Sequence, residues 1–180
     1  MYIVIAIASW VKTDRESRKR NNFTWAPILE VAKLFVGIFL SMIPAIAILK
    51  AGQEGALSGI VSMTQNAAGE PINSMFFWMT GSLSSFLDNA PTYVVFFNTA
   101  GGAHENIAQF LMESCPATLA AISAGAVFMG SMTYIGNAPN FMVKAISEEQ
   151  GVKMPSFFGY MIWSVCILVP LFILLTFLFF

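Results

Sequence analysis

Charge is what this 180-residue sequence has least of. Lys, Arg, Asp and Glu together make up 11% of it, less than half of the roughly 25% carried by a soluble domain. Seven of these few charges crowd into Lys12–Arg20, and Leu34–Leu49, Ser114–Val143 and Pro155–Phe180 hold none. Uncharged apolar stretches of about 18 residues or more are the mark of membrane-spanning helices, so the chain is expected to be mostly embedded. Cysteine and histidine are scarce as well. Cys115 and Cys166 stand too far apart for a metal or redox spacing, and His104 follows Gly101-Gly102-Ala103 as a loop or interface residue. With no ligand cluster, no resident metal or cofactor is expected. A net charge of −1 does not suggest nucleic acid or anionic lipid as a partner.

What is present is organised. Met1–Ser9 is an apolar run with no basic residues before it. It lacks the charged start and cleavage site of a signal peptide and is too short to span, so it reads as the tail of a longer helix and the chain as a fragment. Lys12–Arg20 carries five basic residues, which the positive-inside rule places on the cytoplasmic side. Residues 1–25 are therefore expected to be a truncated helix end plus a basic cytoplasmic loop, and 26–180 the transmembrane part. Within it the expectations are a span over 27–49, a re-entrant hairpin over 72–100, a broken helix over 116–147 and a final span over 157–180. Gly37, Ser41 and Ala45, and again Ala117, Ala121 and Gly125, recur at four-residue intervals, a spacing that lets helices approach closely.

The hairpin expectation rests on length. Ile72–Ala100 is apolar but interrupted at Asp88-Asn89-Ala90-Pro91. A continuous helix of that length would be about 43 Å long, against a hydrocarbon core of roughly 30 Å. Two half-helices entering and returning on one side fit better than a tilted span. A second interruption, Gly136-Asn137-Ala138-Pro139, lies inside the next apolar stretch, and the two breaks form a weak repeat. Residues 85–95 align over 133–143 at a constant offset, with Asn, Ala, Pro and the last Val coincident.

Pro91 and Pro139 each remove a backbone donor and break or kink a helix. In hydrocarbon the freed groups cost several kcal/mol each unless they line a cavity or bind something. Two breaks that meet would answer this: freed carbonyls at one half-helix end suit a cation, and the positive start of the next suits an anion. Asn89 and Asn137 suit the N-cap positions after the breaks. Asp88 is the one ionisable residue well inside an apolar segment, where Asp costs about 2.5–3.5 kcal/mol. With no deep Lys or Arg to pair with, it would alternate between a proton and a cation, the minimal chemistry of antiport.

At Ser84-Ser85-Phe86-Leu87-Asp88-Asn89-Ala90-Pro91-Thr92 and Thr133-Tyr134-Ile135-Gly136-Asn137-Ala138-Pro139-Asn140, the chain resembles the ion-transporter superfamily of arsenite pumps, citrate and dicarboxylate carriers and one branch of sodium/proton antiporters. The resemblance is nearest to the antiporter and citrate-transporter-like branch, from Thr24 onward. It implies an all-α integral membrane fold, the second half of an inverted-repeat transporter, with a re-entrant hairpin and a discontinuous helix meeting at a sodium site. By position, Asn89 and Thr92 would belong to the hairpin-tip cation site, and Gly136 and Asn137 to the broken-helix side. Ser85 and Thr133 would add hydroxyls, and Asn140 closes the second motif.

The Asp88-Asn89-Ala90-Pro91-Thr92 tip departs from the Ser-Asn-Thr tip of the dicarboxylate carriers. That departure favours sodium/proton antiport by alternating access as the leading expectation, with a sodium-coupled carboxylate or oxyanion carrier as the alternative. Sodium and protons would be the transported ions. The expected partners are the inner-membrane bilayer, an upstream polypeptide supplying the missing half, and a second copy in a homodimer. The competing classes are a channel subunit, a non-transporting fragment, and an intramembrane protease. The protease would need a second deep carboxylate or a base beside a serine, and neither is evident.

Overall fold

The computed structural model describes residues 1–21, residues 58–180, and scattered positions between 24 and 47. The expected span over 27–49 and its Gly37-Ser41-Ala45 stripe lie largely outside the described residues. Two compact units are present, Met1–Phe35 and Val36–Phe180. In the first, helix α1 spans Tyr2–Lys12 and α2 spans Arg15–Arg20. In the second, α3 is Ser58–Met63, α4 is Asn73–Ser84, α5 is Asn89–Gly101 and α6 is Ile107–Glu113. Next come α7, Pro116–Met129, a 3₁₀ turn at Gly130–Met132, α8, Ala138–Glu149, and α9, Phe157–Phe179. The described residues form no β-strand; an isolated bridge joins Gln65 and Pro71.

Both expected interruptions are present. α4 ends at Ser84 and α5 begins at Asn89, and the chain turns back between them. The Phe76 and Phe96 rings meet edge to face at 6.4 Å. A cavity of about 190 Å³ is lined both by Pro71, just before α4, and by Gly101, at the end of α5. The arms are thus antiparallel, as a hairpin requires. At 12 and 13 residues each is about 18–20 Å long, too short to cross a bilayer alone. The second interruption is wider than its Asn-Ala-Pro signature implies. Regular α-helix stops at Met129, and α8 starts at Ala138. Between the hairpin and Pro116 lies α6, where Asn106 accepts from the Gln109 N–H as an N-cap. α6 and α7 meet at 106° and do not form one straight span.

α7 packs against both hairpin arms because its facing side is small. Ala121 and Gly125 are buried, although Ala117 of the same stripe is exposed. A Cβ on Gly125 would collide with Phe77 O, so backbone lies directly on backbone there. Phe76, Phe77, Phe96, Ile122 and Met129 fill the space around this contact, and Phe172 of α9 reaches the same cluster. Among the described residues α9 alone is long and apolar enough to cross a membrane. Its 23 residues span about 34 Å, and most of its large side chains, among them Trp163, Ile167 and Phe177, face outward.

Such a contact tolerates no added volume. Gly125→Leu is expected to destabilise the unit by about 1–3 kcal/mol or more, read as a lowered unfolding temperature in detergent micelles. Val127→Ala, on the exposed side of α7, should leave it nearly unchanged. Equal effects would argue against the close α4–α7 approach.

Candidate functional site

The two breaks meet, and the meeting point is polar. Thr133 donates its hydroxyl to Ser85 O, joining the first aligned pair of the repeat. The same hydroxyl accepts the Gly136 N–H at 3.0 Å, so one buried side chain ties the hairpin tip to the broken helix. Ser85 Oγ lies 2.9 Å from Gly81 O and 3.0 Å from Met129 O. Ser84 Oγ donates to Ala126 O at 2.6 Å.

Asn89 sits at the centre. Its amide faces Gly136 O, Ala126 O and Ser84 Oγ, which fixes the nitrogen on that side: it lies 3.0, 2.9 and 3.1 Å from them. This corrects the expectation for Asn89. Asp88 occupies the N-cap position of α5 with extended backbone, and Asn89 is the first helical residue. The Asn89 side chain is committed across the interface and does not cap its own helix. Asn137 does precede α8 in extended backbone, but its side chain makes no capping bond.

Glycine permits this approach on the other side. A Cβ on Gly136 would stand 2.7–2.8 Å from Gly130 O, Ser84 O and Ser85 O, and one on Gly130 would strike the Asn89 amide. Gly136 was legible from its motif. Gly130 was not, because it precedes the Asn-Ala-Pro signature.

The broken helix frees a run of carbonyls, and several of them have protein donors. Ser131 O accepts from Tyr160 Oη at 2.9 Å and Met132 O from Ser164 Oγ at 2.7 Å, both from α9. Asn140 Nδ2 reaches Gly130 O and Thr133 O at 3.4 and 3.5 Å. The carbonyls expected to face a cation are therefore engaged by side chains in this conformation. Ser84, Tyr160 and Ser164 were missed from the sequence. The signal was there for the last two: they are polar, four residues apart, in an otherwise apolar terminal helix.

Asp88 is half-buried, and the ion pair found among the described residues, Lys144–Glu148 at 2.7 Å, does not involve it. Thr92 is fully buried, and its hydroxyl has no hydrogen-bond partner; Thr80 in the other arm shares both properties. Pro91 is buried and Pro139 exposed, each in the first turn of its half-helix. Away from the breaks, His104 Nδ1 lies 2.8 Å from Gly101 O and its ring stacks on Phe110 at 3.7 Å. Among the described residues no three His, Cys, Asp or Glu side chains gather as a metal site.

An apolar helical protein in which two interrupted helices join at a polar crossing has the build of a transporter. A family model covers residues 1–180, and the chain belongs to that family, described as putative citrate transport. It is accordingly a membrane transport protein. No curated protein and no solved structure matches the chain significantly.

If the Asn89 nitrogen bridges the breaks, Asn89→Ala should cost about 1–3 kcal/mol by leaving buried acceptors unpaired. Asn89→Asp, which sets a carboxylate against those same acceptors, should cost more. Thermal unfolding of the purified variants orders them, and an Asp variant as stable as wild type would rule out this bridging role. Tyr160→Phe and Ser164→Ala should each cost about 1 kcal/mol, measured the same way.

Proposed function

We propose that this protein is a secondary active carrier of a citrate-like carboxylate, coupled to a cation or proton through Asp88. The observation that carries this reading is the junction of the two breaks. Asn89, the first residue of α5, lies against Gly136, two residues before α8. Two half-helix N-termini are thereby brought close together. Each presents unsatisfied N–H groups and the positive end of its dipole, which favours an anion, and the family description agrees. A carboxylate held there would be re-exposed to the opposite side by movement of one half of the transporter against the other.

Sodium/proton antiport is the second reading, favoured by one residue. Asp88 places a carboxylate at the N-terminus of α5, where it would compete with an anionic substrate and suit a cation or proton instead. In the carrier reading the same carboxylate serves as the coupling group, and its occupancy by a cation removes the repulsion. Ser85, Thr92, Thr133, Asn137 and Asn140 are the further side chains we assign to the substrate and cation sites. A multi-pass arrangement in the inner membrane, with Lys12–Arg20 cytoplasmic, completes the proposal.

The test is labelled-citrate uptake into proteoliposomes containing the chain together with any upstream partner polypeptide, under an imposed sodium or proton gradient. We expect gradient-dependent uptake, slowed about tenfold or more by Asp88→Asn, equivalent to about 1.4 kcal/mol of barrier. Absence of citrate uptake, with a sodium-driven pH change that vanishes in Asp88→Asn, would replace carboxylate transport by antiport. Absence of both from correctly inserted protein would remove both readings.

A further inference from the structure

The first unit carries a feature that the transport reading does not use. α1 is apolar and exposed along its length, from Tyr2 at 82% to Val11 at 74%. Its C-terminal end meets a cluster of a different kind. Arg18 folds back from α2 and donates through Nη2 to Trp10 O at 2.5 Å and Thr13 O at 2.6 Å. These are carbonyls at the end of α1, where an orphan acceptor and the negative end of the dipole both favour a cation. The guanidinium stacks 4.0 Å over the Trp10 ring, and Trp10 lies 5.2 Å from Trp25.

One edge of Arg18 remains uncommitted. Its Nε is buried and has no protein partner, and Arg18 lines an open cleft of about 430 Å³ together with Ser9, Trp10, Ser17, Asn21 and Trp25. Lys12, Arg15, Lys19 and Arg20 are all exposed in the same segment of chain, and Asp14 and Glu16 are its acidic residues. None of these basic residues takes part in an ion pair among the described residues. The net charge of −1 conceals this: the whole molecule is near neutral, whereas Lys12–Arg20 has five basic residues against two acidic ones.

We propose that the Trp10–Arg18–Trp25 cleft binds the headgroup phosphate of an anionic phospholipid. Each element of the site has a reason. Trp side chains settle at headgroup level. Arg18 brings a charged donor for phosphate oxygens, and its guanidinium is already fixed in orientation by the Nη2 bonds to the α1 carbonyls. The surrounding lysines and arginines attract a negatively charged headgroup over a neutral one. The occupant is a lipid because the cleft lies at the C-terminal end of an apolar, exposed helix and within a run that carries five basic residues. This inference is independent of which solute the protein carries.

Brominated-lipid quenching tests it on the full chain, reconstituted in vesicles. Trp78→Phe and Trp163→Phe leave Trp10 and Trp25 as the reporters. Dibromo-phosphatidylglycerol is expected to quench at about tenfold lower mole fraction than dibromo-phosphatidylcholine, with Arg18→Gln reducing that preference about fivefold. Arg18→Lys retains the charge but not the guanidinium that bonds the α1 carbonyls and stacks on Trp10, and should lose much of the preference as well. A double Arg15→Gln/Lys19→Gln variant leaves the cleft intact and should keep a residual preference that Arg18→Gln in the same background abolishes. Equal quenching by the two lipids in wild type overturns the site. So does full preference in Arg18→Lys, which would mean diffuse charge alone.

Discussion

A helix broken in an apolar setting leaves backbone carbonyls and N–H groups that no water can reach, and the architecture of 58–180 follows from satisfying them. Each such group left bare costs several kcal/mol, so the breaks need donors at fixed places. Ser84, Ser85 and Asn89 supply them from the hairpin tip, Asn140 from the following half-helix, and Tyr160 and Ser164 from α9. The position of α9 is thereby explained. It offers few buried apolar side chains to the rest of the unit, and its polar contacts to Ser131 and Met132 hold it where the break needs donors.

Donors act over about 3 Å, and this demand propagates into packing. Amide and hydroxyl groups as short as those of Asn and Ser can bridge two segments only if the backbones nearly touch. Gly130 and Gly136 allow this at the junction, and Gly125 does the same one and a half turns earlier, where α7 meets Phe77 of α4. Between helices in a membrane the hydrophobic effect contributes little, and close contact with hydrogen bonding replaces it. The Phe76–Phe77–Phe96–Phe172 cluster fills the volume beside this contact. The glycines set the distance, and the aromatics set what remains to be filled.

How much of this was legible depends on whether a feature is local. Pro91 and Pro139 mark their breaks from chemistry contained in one residue, and comparing apolar length with bilayer thickness pointed to two short helices over 72–100 in place of one long one. The family resemblance, carried by the two Asn-Ala-Pro motifs, agrees with the family match over residues 1–180. The role of Asn89 was not legible: Asn after a break is a good cap in isolation, and only tertiary contact with Gly136 and Ala126 draws its amide away. The same holds for Gly130, whose importance is defined by an atom 41 positions earlier in the chain. The charge cluster at Lys12–Arg20 was visible, but Arg18 could not be singled out from its neighbours until its contact with the end of α1 was known.

The same bonds that stabilise the crossing also constrain how a carrier of this build can move. A satisfied hydrogen bond contributes only about 1 kcal/mol net, whereas a buried group stripped of its partner costs the larger desolvation penalty. Exchanging one full set of partners for another is therefore cheap, and leaving any member stranded is not. Thr133 links Ser85 to Gly136 through a single hydroxyl, so the hairpin tip cannot withdraw without unsatisfying both the break and itself. In the proposed carrier, substrate or cation entering the crossing would supply replacement partners as those bonds open. Under the proposed mechanism, tip and broken helix can part when the site is filled, and the empty crossing resists opening. Coupling then arises from the hydrogen-bond accounting of two broken helices, without a dedicated gate.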